Sequence, residues 1–277
     1  MDFLEELLKG RGKTRDIQAF IDSKMKTVET IPPMTPECRV RPSGIEKFCP
    51  RYEALRVEKN LVIRHENSAR LERIFAVGRA YEKHLRDTVL APIGILVGAW
   101  RCPRCTMHYG STDPDRAVPR PTSCPACNAE DEMAYVEPFG YADEPSNLGG
   151  SGDGFILWGG EVSLLEVKTA NKDRFDLVAK NRFPFPEHHS QAQVYMSAFG
   201  LKKTLFWYHN KNSGDQLCLW VVASESSLAA QVAKARSLKH YFHTKTIPER
   251  ICVSMTCARA KECPIAKVCF EKGKEET

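Results

Sequence analysis

GDGFILWGGEVSLLEVK, residues 152–168, carries the strongest structural and chemical signal in the chain. Two apolar runs, residues 154–157 and 163–168, flank the turn pair Gly159-Gly160 and predict the two strands of a hairpin. Glu166 and Lys168 lie two positions apart, so both point to one face of the second strand while Val167 packs against the other. The hairpin can also bring Asp153 beside them, although twelve residues separate Asp153 from Glu166.

Carboxylates that converge with a lysine predict a metal-assisted hydrolytic centre. Two carboxylates suit a hard divalent cation such as magnesium, which takes oxygen ligands. A lysine nearby can orient water or stabilise charge that develops on a phosphate. The alternative is that Asp153 caps a turn and Glu166 pairs with Lys168 on an exposed strand, which is the commoner arrangement for an isolated E-x-K triplet.

A helical segment at residues 190–199 supplies the next part of the pattern. Gln191 and Tyr195 are four apart and share one helix face. With Asp153, Glu166 and Lys168 they resemble the PD-(D/E)XK superfamily, and the Gln191-x-x-x-Tyr195 pair resembles its RecB-like branch. That resemblance implies an α/β fold with a mixed central sheet flanked by helices.

The same resemblance implies a site in residue detail. It implies Mg²⁺ or Mn²⁺ held by Glu82, Asp153, Glu166 and the backbone carbonyl of Val167, with His84 as the alternative to Glu82. It implies catalytic roles for Asp153, Glu166, Lys168, Gln191 and Tyr195. The sequence departs from the family pattern in one respect, because no proline directly precedes Asp153.

Two CxxC pairs predict a zinc ribbon inserted at about residues 101–130. Eighteen residues separate Cys102-Pro-Arg-Cys105 from Cys124-Pro-Ala-Cys127, a spacing typical of Cys₄ zinc sites. The alternative is four unliganded thiols. Four nearby arginines either contact phosphates or are solvated: Arg101, Arg104, Arg116 and Arg120.

The remaining cysteines form an early and a late group. The late ones alone have enough sulfurs for a second zinc site. However, Cys49 together with the late group resembles the split ligand set of RecB-like iron-sulfur nucleases, including those associated with CRISPR adaptation and encoded by bacteriophages. This implies a 4Fe-4S cluster on Cys49, Cys263, Cys269 and Cys257, with Cys252 as the alternative to Cys257. Cys38 and Cys218 are left over, and we expect Cys218 to be buried in a strand.

Composition limits the possible compartment and membrane association of the chain. The chain has 277 residues, 11 cysteines and a net charge of +5, and CxxC pairing favours metal ligation in a reducing compartment over disulfides. The N-terminal residues lack a secretory signal, and the longest apolar run, residues 89–100, is too short to span a bilayer. We therefore expect no membrane association, and a location in bacterial or phage-infected host cytoplasm.

The expected organisation is an N-terminal segment, residues 1–42, followed by a nuclease domain, residues 43–277. An amphipathic helix and charged tail are expected in residues 1–30, and helices in residues 43–90, 190–199 and 226–242. A second hairpin is expected from residues 204–209 and 217–222. The iron-sulfur region would join Cys49 to residues 252–269.

The predicted function is a metal-dependent DNA exonuclease that acts on single-stranded DNA or DNA ends, in recombination, repair or phage DNA metabolism. A helicase or recombination protein is a candidate partner. One alternative is a noncatalytic DNA-binding scaffold. Another is an RNA-directed or structure-specific endonuclease, because a metal site that cleaves phosphodiesters does not by itself select the sugar.

Overall fold

A computed structural model of the chain describes residues 14–271. Its α-helices are α1 (Thr14–Met25), α2 (Pro50–Glu58), α3 (Ala69–His84), α4 (Lys172–Asn181), α5 (Pro186–Ala198), α6 (Glu225–Thr244), α7 (Ala258–Lys261) and α8 (Ala266–Phe270). Its strands are β1 (Thr27–Ile31), β2 (Ile63–Asn67), β3 (Leu96–Arg101), β4 (His108–Gly110), β5 (Val118–Pro119), β6 (Ala134–Val136), β7 (Phe139–Asp143), β8 (Leu148–Ser151), β9 (Gly154–Trp158), β10 (Glu161–Ala170), β11 (Lys203–Asn210) and β12 (Gln216–Val222). A π-helical segment, Leu85–Leu90, directly follows α3.

The described chain divides into two compact units. The smaller unit comprises residues 14–32 and 62–81, in which β1 and β2 form an antiparallel pair. The larger unit comprises residues 33–61 and 82–271 and contains every residue of the predicted catalytic and cysteine sites. The predicted boundary after residue 42 stays a prediction.

The larger unit is built on a mixed sheet with helices packed against it, which confirms the α/β class and the mixed central sheet. Its strand order is β12-β11-β10-β9-β3-β4, and β5 and β6 also pair with β3. The β10–β11 pair is parallel, whereas β9–β10 and β11–β12 are antiparallel hairpins. Both predicted hairpins are therefore confirmed.

Helix α5 packs on this sheet and explains the burial of the site. Pro186 occupies its first turn, where a missing backbone N–H costs nothing. Seven consecutive residues, numbers 190–196, are buried, so the central part of the helix is enclosed on all sides. Its Ala192, Tyr195 and Met196 join the cluster that includes Phe155 and Leu164 of the central strands.

Three expectations about local structure are wrong. Residues 43–90 are not wholly helical, since β2 interrupts them and pairs with the distant β1. The same pairing makes residues 27–31 a strand and not part of a charged tail; residues 1–13 of the expected N-terminal helix lie outside the described residues. Cys218 is exposed, because it points to the uncovered face of the outermost strand β12.

No helix within residues 14–271 is both long enough and apolar enough to cross a membrane.

Candidate active site and metal centres

The carboxylate centre forms where the β9–β10 hairpin opens. Pairing between the two strands ends at Leu165 and Gly154, so Asp153 lies just beyond the paired region. There its Oδ2 accepts a 2.7 Å hydrogen bond from the backbone N–H of Val167. Asp153 is thus held beside Val167 in the second half of β10, in the arrangement that the hairpin predicted.

Glu166 and Lys168 share one face of β10, as strand alternation requires. Lys168 Nζ lies 2.7 Å from Glu166 Oε2, and Glu166 is 0% exposed. Lys168 is thus the partner of Glu166 Oε2, whereas Glu166 Oε1 is buried without a hydrogen-bond donor among the described residues. Burial of such a carboxylate costs free energy unless a bound cation or a proton neutralises its charge.

The pKa shifts at the centre arise because several carboxylates lie close together in a buried site. Burial, together with the charge of Asp153, raises the pKa of Glu166 against the opposing effect of Lys168. Burial and the same aspartate also raise the pKa of Glu82. Burial alone would lower the pKa of Lys168, but Glu166 and Asp153 raise it, so the lysine stays charged. A divalent cation would relieve this crowding, and the donor set of carboxylate oxygens fits Mg²⁺ or Mn²⁺.

Tyr195 and Gln191 face the same centre from α5. The Gln191 side chain hydrogen-bonds the Tyr195 hydroxyl, and burial followed by the charges of Glu166 and Asp153 raises the pKa of Tyr195. Gly150 of β8 lets the tyrosine approach, because a Cβ there would lie 3.2 Å from its hydroxyl. The structure therefore brings Glu82, Asp153, Glu166, Lys168, Gln191 and Tyr195 into one neighbourhood.

Four charged or polar neighbours were not identified from the sequence: Arg86, Glu137, His188 and Tyr208. Arg86 Nη1 lies 3.0 Å from Glu82 Oε1 and 3.0 Å from Glu137 Oε1, and donates to the carbonyl of Asp153 at 2.9 Å. His188 Nδ1 and the Tyr208 hydroxyl are 2.6 Å apart. Burial and then the charge of Lys168 lower the pKa of His188 to about 4.

Some of these neighbours left a trace in the sequence. His188 is three residues before Gln191 and seven before Tyr195, which places it on the same helix face. Arg86 follows Glu82 by four residues, a spacing that indicates an ion pair on a helix. Nothing local pointed to Glu137, since the loop before β7 brings it to the site through tertiary structure.

The ribbon cysteines lie within bonding reach of one ion. Their four Sγ atoms all lie within 4.8 Å of one another, with Cys102–Cys127 at 3.8 Å and Cys105–Cys124 at 3.6 Å. A tetrahedral zinc site with Zn–S bonds of about 2.3 Å requires S–S separations of roughly 3.8 Å. Four close cysteines can therefore hold a metal ion.

The two knuckles share one backbone design. Cys102 N–H donates to Met107 O, and Cys124 N–H donates to Ala129 O, the residue five positions on in each case. Thr106 and Asn128, at corresponding positions, adopt left-handed φ values of 61° and 55°. Backbone N–H groups of Cys127 and Ala126 lower the pKa of the Cys124 thiol, which favours the thiolate that a metal requires.

Two of the four ribbon arginines already have partners. Arg104 forms an ion pair with Asp131. Arg120 donates to the carbonyl of Asp87 at 3.1 Å and lies over Trp100. Their guanidinium groups are therefore partly occupied by structural contacts, which weakens the expectation that both contact phosphates.

A separate cavity of about 660 Å³ lies between the α2 region and the C-terminal segment. Its wall includes Cys49, Cys252, Cys263 and Cys269. Cys257 is not part of that wall; its thiol interacts with Cys252, and its Sγ accepts the Ala260 N–H at the start of α7. The sequence preference for Cys257 over Cys252 stays untested, but the wall itself contains Cys252.

Arginines join the two sides of this cavity. Arg259 donates to Lys47 O at 2.6 Å and Phe48 O at 3.2 Å, and Arg51 donates to Pro248 O at 2.9 Å. Arg250 donates to Cys269 O at 2.8 Å. The bonds of Arg259 and Arg51 hold residues near Cys49 against the C-terminal segment, and the bond of Arg250 lies within that segment.

No protein-family model matches the chain, and no curated protein matches it significantly. Among solved structures, the chain is similar to an alkaline exonuclease, LHK-Exo, from Laribacter hongkongensis, at 15% identity and a TM-score of 0.47 over 75% of this chain and 89% of that one. The complex of LHK-Exo with dAMP gives a TM-score of 0.45 at 15% identity over the same shares. The structure of SSO0001 gives 0.39 at 12% identity, over 95% of this chain and 98% of that one. The superfamily resemblance drawn from the sequence stays a prediction.

Proposed function

We propose that the chain is a divalent-metal-dependent DNA exonuclease of the PD-(D/E)XK superfamily, in its RecB-like iron-sulfur branch. One observation carries the proposal: Glu166 is fully buried, with Lys168 on one oxygen and no donor on the other, beside Asp153 at the open end of a hairpin. A structural ion pair on an exposed strand would not leave a buried carboxylate incomplete. This favours the chemical interpretation of the E-x-K triplet over the alternative.

The proposed roles follow from position. Glu82, Asp153 and Glu166, with the carbonyl of Val167, would hold Mg²⁺ or Mn²⁺. A bound divalent cation supplies Lewis-acid polarisation of a phosphoryl oxygen. Lys168 stays protonated and directs its ammonium at the same place, where it can orient attacking water or stabilise the charge on phosphate. Gln191 and Tyr195 would position the DNA or the acidic groups.

The two cysteine regions would have structural roles in the enzyme. The ribbon would hold one zinc ion with four thiolates, which close the tetrahedral shell and leave no position for chemistry. The cavity would hold a 4Fe-4S cluster on Cys49, Cys263, Cys269 and either Cys252 or Cys257. Its position between early and late segments supports a structural role, because a site absent from the unfolded chain contributes its binding energy to folding.

The test is digestion of labelled single-stranded DNA, duplex DNA and RNA, with closed circular DNA to separate exonuclease from endonuclease activity. Wild-type protein with Mg²⁺ or Mn²⁺ should release nucleotides from linear DNA and spare circles. Glu166→Ala and Lys168→Ala should each lower the rate by ~10²-fold or more, with zinc and iron contents unchanged.

Glu161 provides a matched control on the same strand. It lies at the opposite end of β10, where its carboxylate is 2.7 Å from Lys203 Nζ on the surface. Glu161→Ala should therefore cleave DNA normally. DNA binding without cleavage by wild-type protein would favour the noncatalytic scaffold, and preferential cleavage of RNA or of circles would favour the endonuclease alternative.

A further inference from the structure

Arg86 is a buried cation at the carboxylate centre to which the proposed chemistry gives no role. It belongs to the π-helical segment Leu85–Leu90 and is only 7% exposed. Segments of this kind are rare and often occur at functional sites, because they redirect side chains within a helix. Here the segment directs a guanidinium towards the acidic residues.

One nitrogen of Arg86, Nη1, makes the polar contacts with the acidic residues, and the guanidinium also lies over the Tyr135 ring. Nη1 lies 3.0 Å from Glu82 Oε1, 3.0 Å from Glu137 Oε1 and 2.9 Å from the carbonyl oxygen of Asp153. The three acceptors come from α3, the segment before β7 and the residue before β9. Carboxylate and carbonyl oxygens are the ligands that hard divalent cations prefer. The nitrogen therefore occupies a place lined with cation ligands.

The electrostatic surroundings of Arg86 Nη1 are consistent with this geometry. Glu82, Glu137 and Asp153 all act on Arg86 and stabilise its positive charge against the effect of burial. Without the guanidinium, Glu82 and Glu137 would be left as unpaired carboxylates close to Asp153. Such an arrangement would attract a second divalent ion, and many phosphodiester-cleaving enzymes hold two ions about 3.5–4 Å apart.

We propose that Arg86 is a built-in cation that takes the place of a second divalent ion, so that the centre binds one ion. The inference rests on the proposed function, since it concerns the number of ions at that centre. Arg86 is a positioning residue in this scheme: it joins Glu82 to the backbone of Asp153 and leaves the remaining carboxylate oxygens for the single ion.

The test counts Mn²⁺ ions on the full chain with its cysteine sites loaded. Calorimetric titration of wild type with Mn²⁺ should give one ion at the centre, lost in Glu166→Ala, and electron paramagnetic resonance should show an isolated Mn²⁺. Arg86→Met should bind two ions that are magnetically coupled. The double variant Arg86→Met/Glu137→Gln should return to one ion, because a ligand of the second place is gone.

Two controls complete the design. Glu137→Gln alone and Arg86→Lys should both bind one ion, since each keeps a cation at residue 86. Two coupled ions in wild type would overturn the inference even if Arg86→Met failed to fold, and one ion in a folded Arg86→Met would do the same. DNA cleavage with two ions in wild type would leave the proposed function standing, whereas neither Mn²⁺ binding nor cleavage would remove both.

Discussion

The two cysteine regions differ in how far the folded chain has already brought their sulfurs together. In the ribbon, four sulfurs lie within 4.8 Å of one another, and two knuckles with matching backbone hydrogen bonds hold them there. In the C-terminal region, four cysteines are distributed around a cavity of about 660 Å³. The first arrangement fits a single ion, and the second surrounds the space that the proposed cluster would occupy.

The largest effect is expected from removal of Cys49, the proposed cluster ligand that lies farthest in sequence from the others. Cys49→Ala should remove the iron and the brown colour of anaerobically purified protein while the ribbon keeps its zinc. The domain should also lose stability, because Cys49 would join two segments some 200 residues apart in sequence. Elemental analysis and thermal unfolding provide the measurements. Colourless wild-type protein that contains zinc alone after iron reconstitution would refute the iron-sulfur assignment.

The next prediction sharpens the ligand set of the cavity. Since Cys252 lines the wall, Cys252→Ala should lose most of its iron. Cys257→Ala should keep the cluster and lose only about 1 kcal/mol of stability, the usual cost of a lost helix cap. Iron content and urea unfolding of the two variants show which cysteine is the ligand. Iron loss in Cys257→Ala alone would support Cys257, as the sequence favours.

Breaking the ribbon should have a more local effect. Cys124→Ser should lower zinc from one ion per chain and open residues 101–130 to proteolysis, because few apolar groups stabilise that segment without metal. Iron content should stay unchanged. DNA cleavage should also continue, since no ribbon cysteine contacts the carboxylates within the described chain. A simultaneous loss of iron would show that the two regions fold as one.

The last prediction, which concerns stability and not metal content, contrasts the thiol sites with the oxygen-lined centre. Burial raises the pKa of Glu166 to about 8 from an ordinary 4.5. A raised carboxyl pKa contributes stability that is present below pH 4.5 and is lost as pH rises through 8. Without divalent cation at this centre, wild type should therefore lose stability relative to Glu166→Gln by up to ~1.4 kcal/mol per pH unit in that window.

Urea unfolding across pH 5–8 measures this difference, with Glu161→Gln as a control that should follow wild type. Saturating Mn²⁺ should remove the dependence, because the cation replaces the proton. Parallel curves for wild type and Glu166→Gln would show that Glu166 does not gain a proton on folding.

Local patterns predicted much of the larger unit. The apolar runs around Gly159-Gly160 and Asn212-Ser213-Gly214 predicted both hairpins, and alternation placed Glu166 beside Lys168. The regular CxxC spacing predicted the compact sulfur quartet. These features depend on residues close in sequence, so periodicity and turn chemistry are sufficient to predict them.

Features that depend on long-range contacts were harder to predict from the sequence. The strand Ile63–Asn67 exists through pairing with residues 27–31, and no local signal separated it from the helical pattern around it. Cys218 is exposed because it lies on the uncovered face of the outermost strand β12, whereas Leu219 and Val221 on the other face are buried; which face is covered depends on tertiary packing. Glu137 joins the acidic centre only because the chain returns to it from the ribbon.

By itself, the sequence determined which residue types were available and how they repeat: the hairpins, the ligand spacing and the E-x-K face of β10. Tertiary structure decided their electrostatic surroundings. It buried Glu166 with only Lys168 as its partner, placed the Arg86 guanidinium among three oxygens, and put Cys252 on the wall of the cavity. The physical reason is that burial and charge coupling depend on distances between residues remote in sequence, which no local pattern contains.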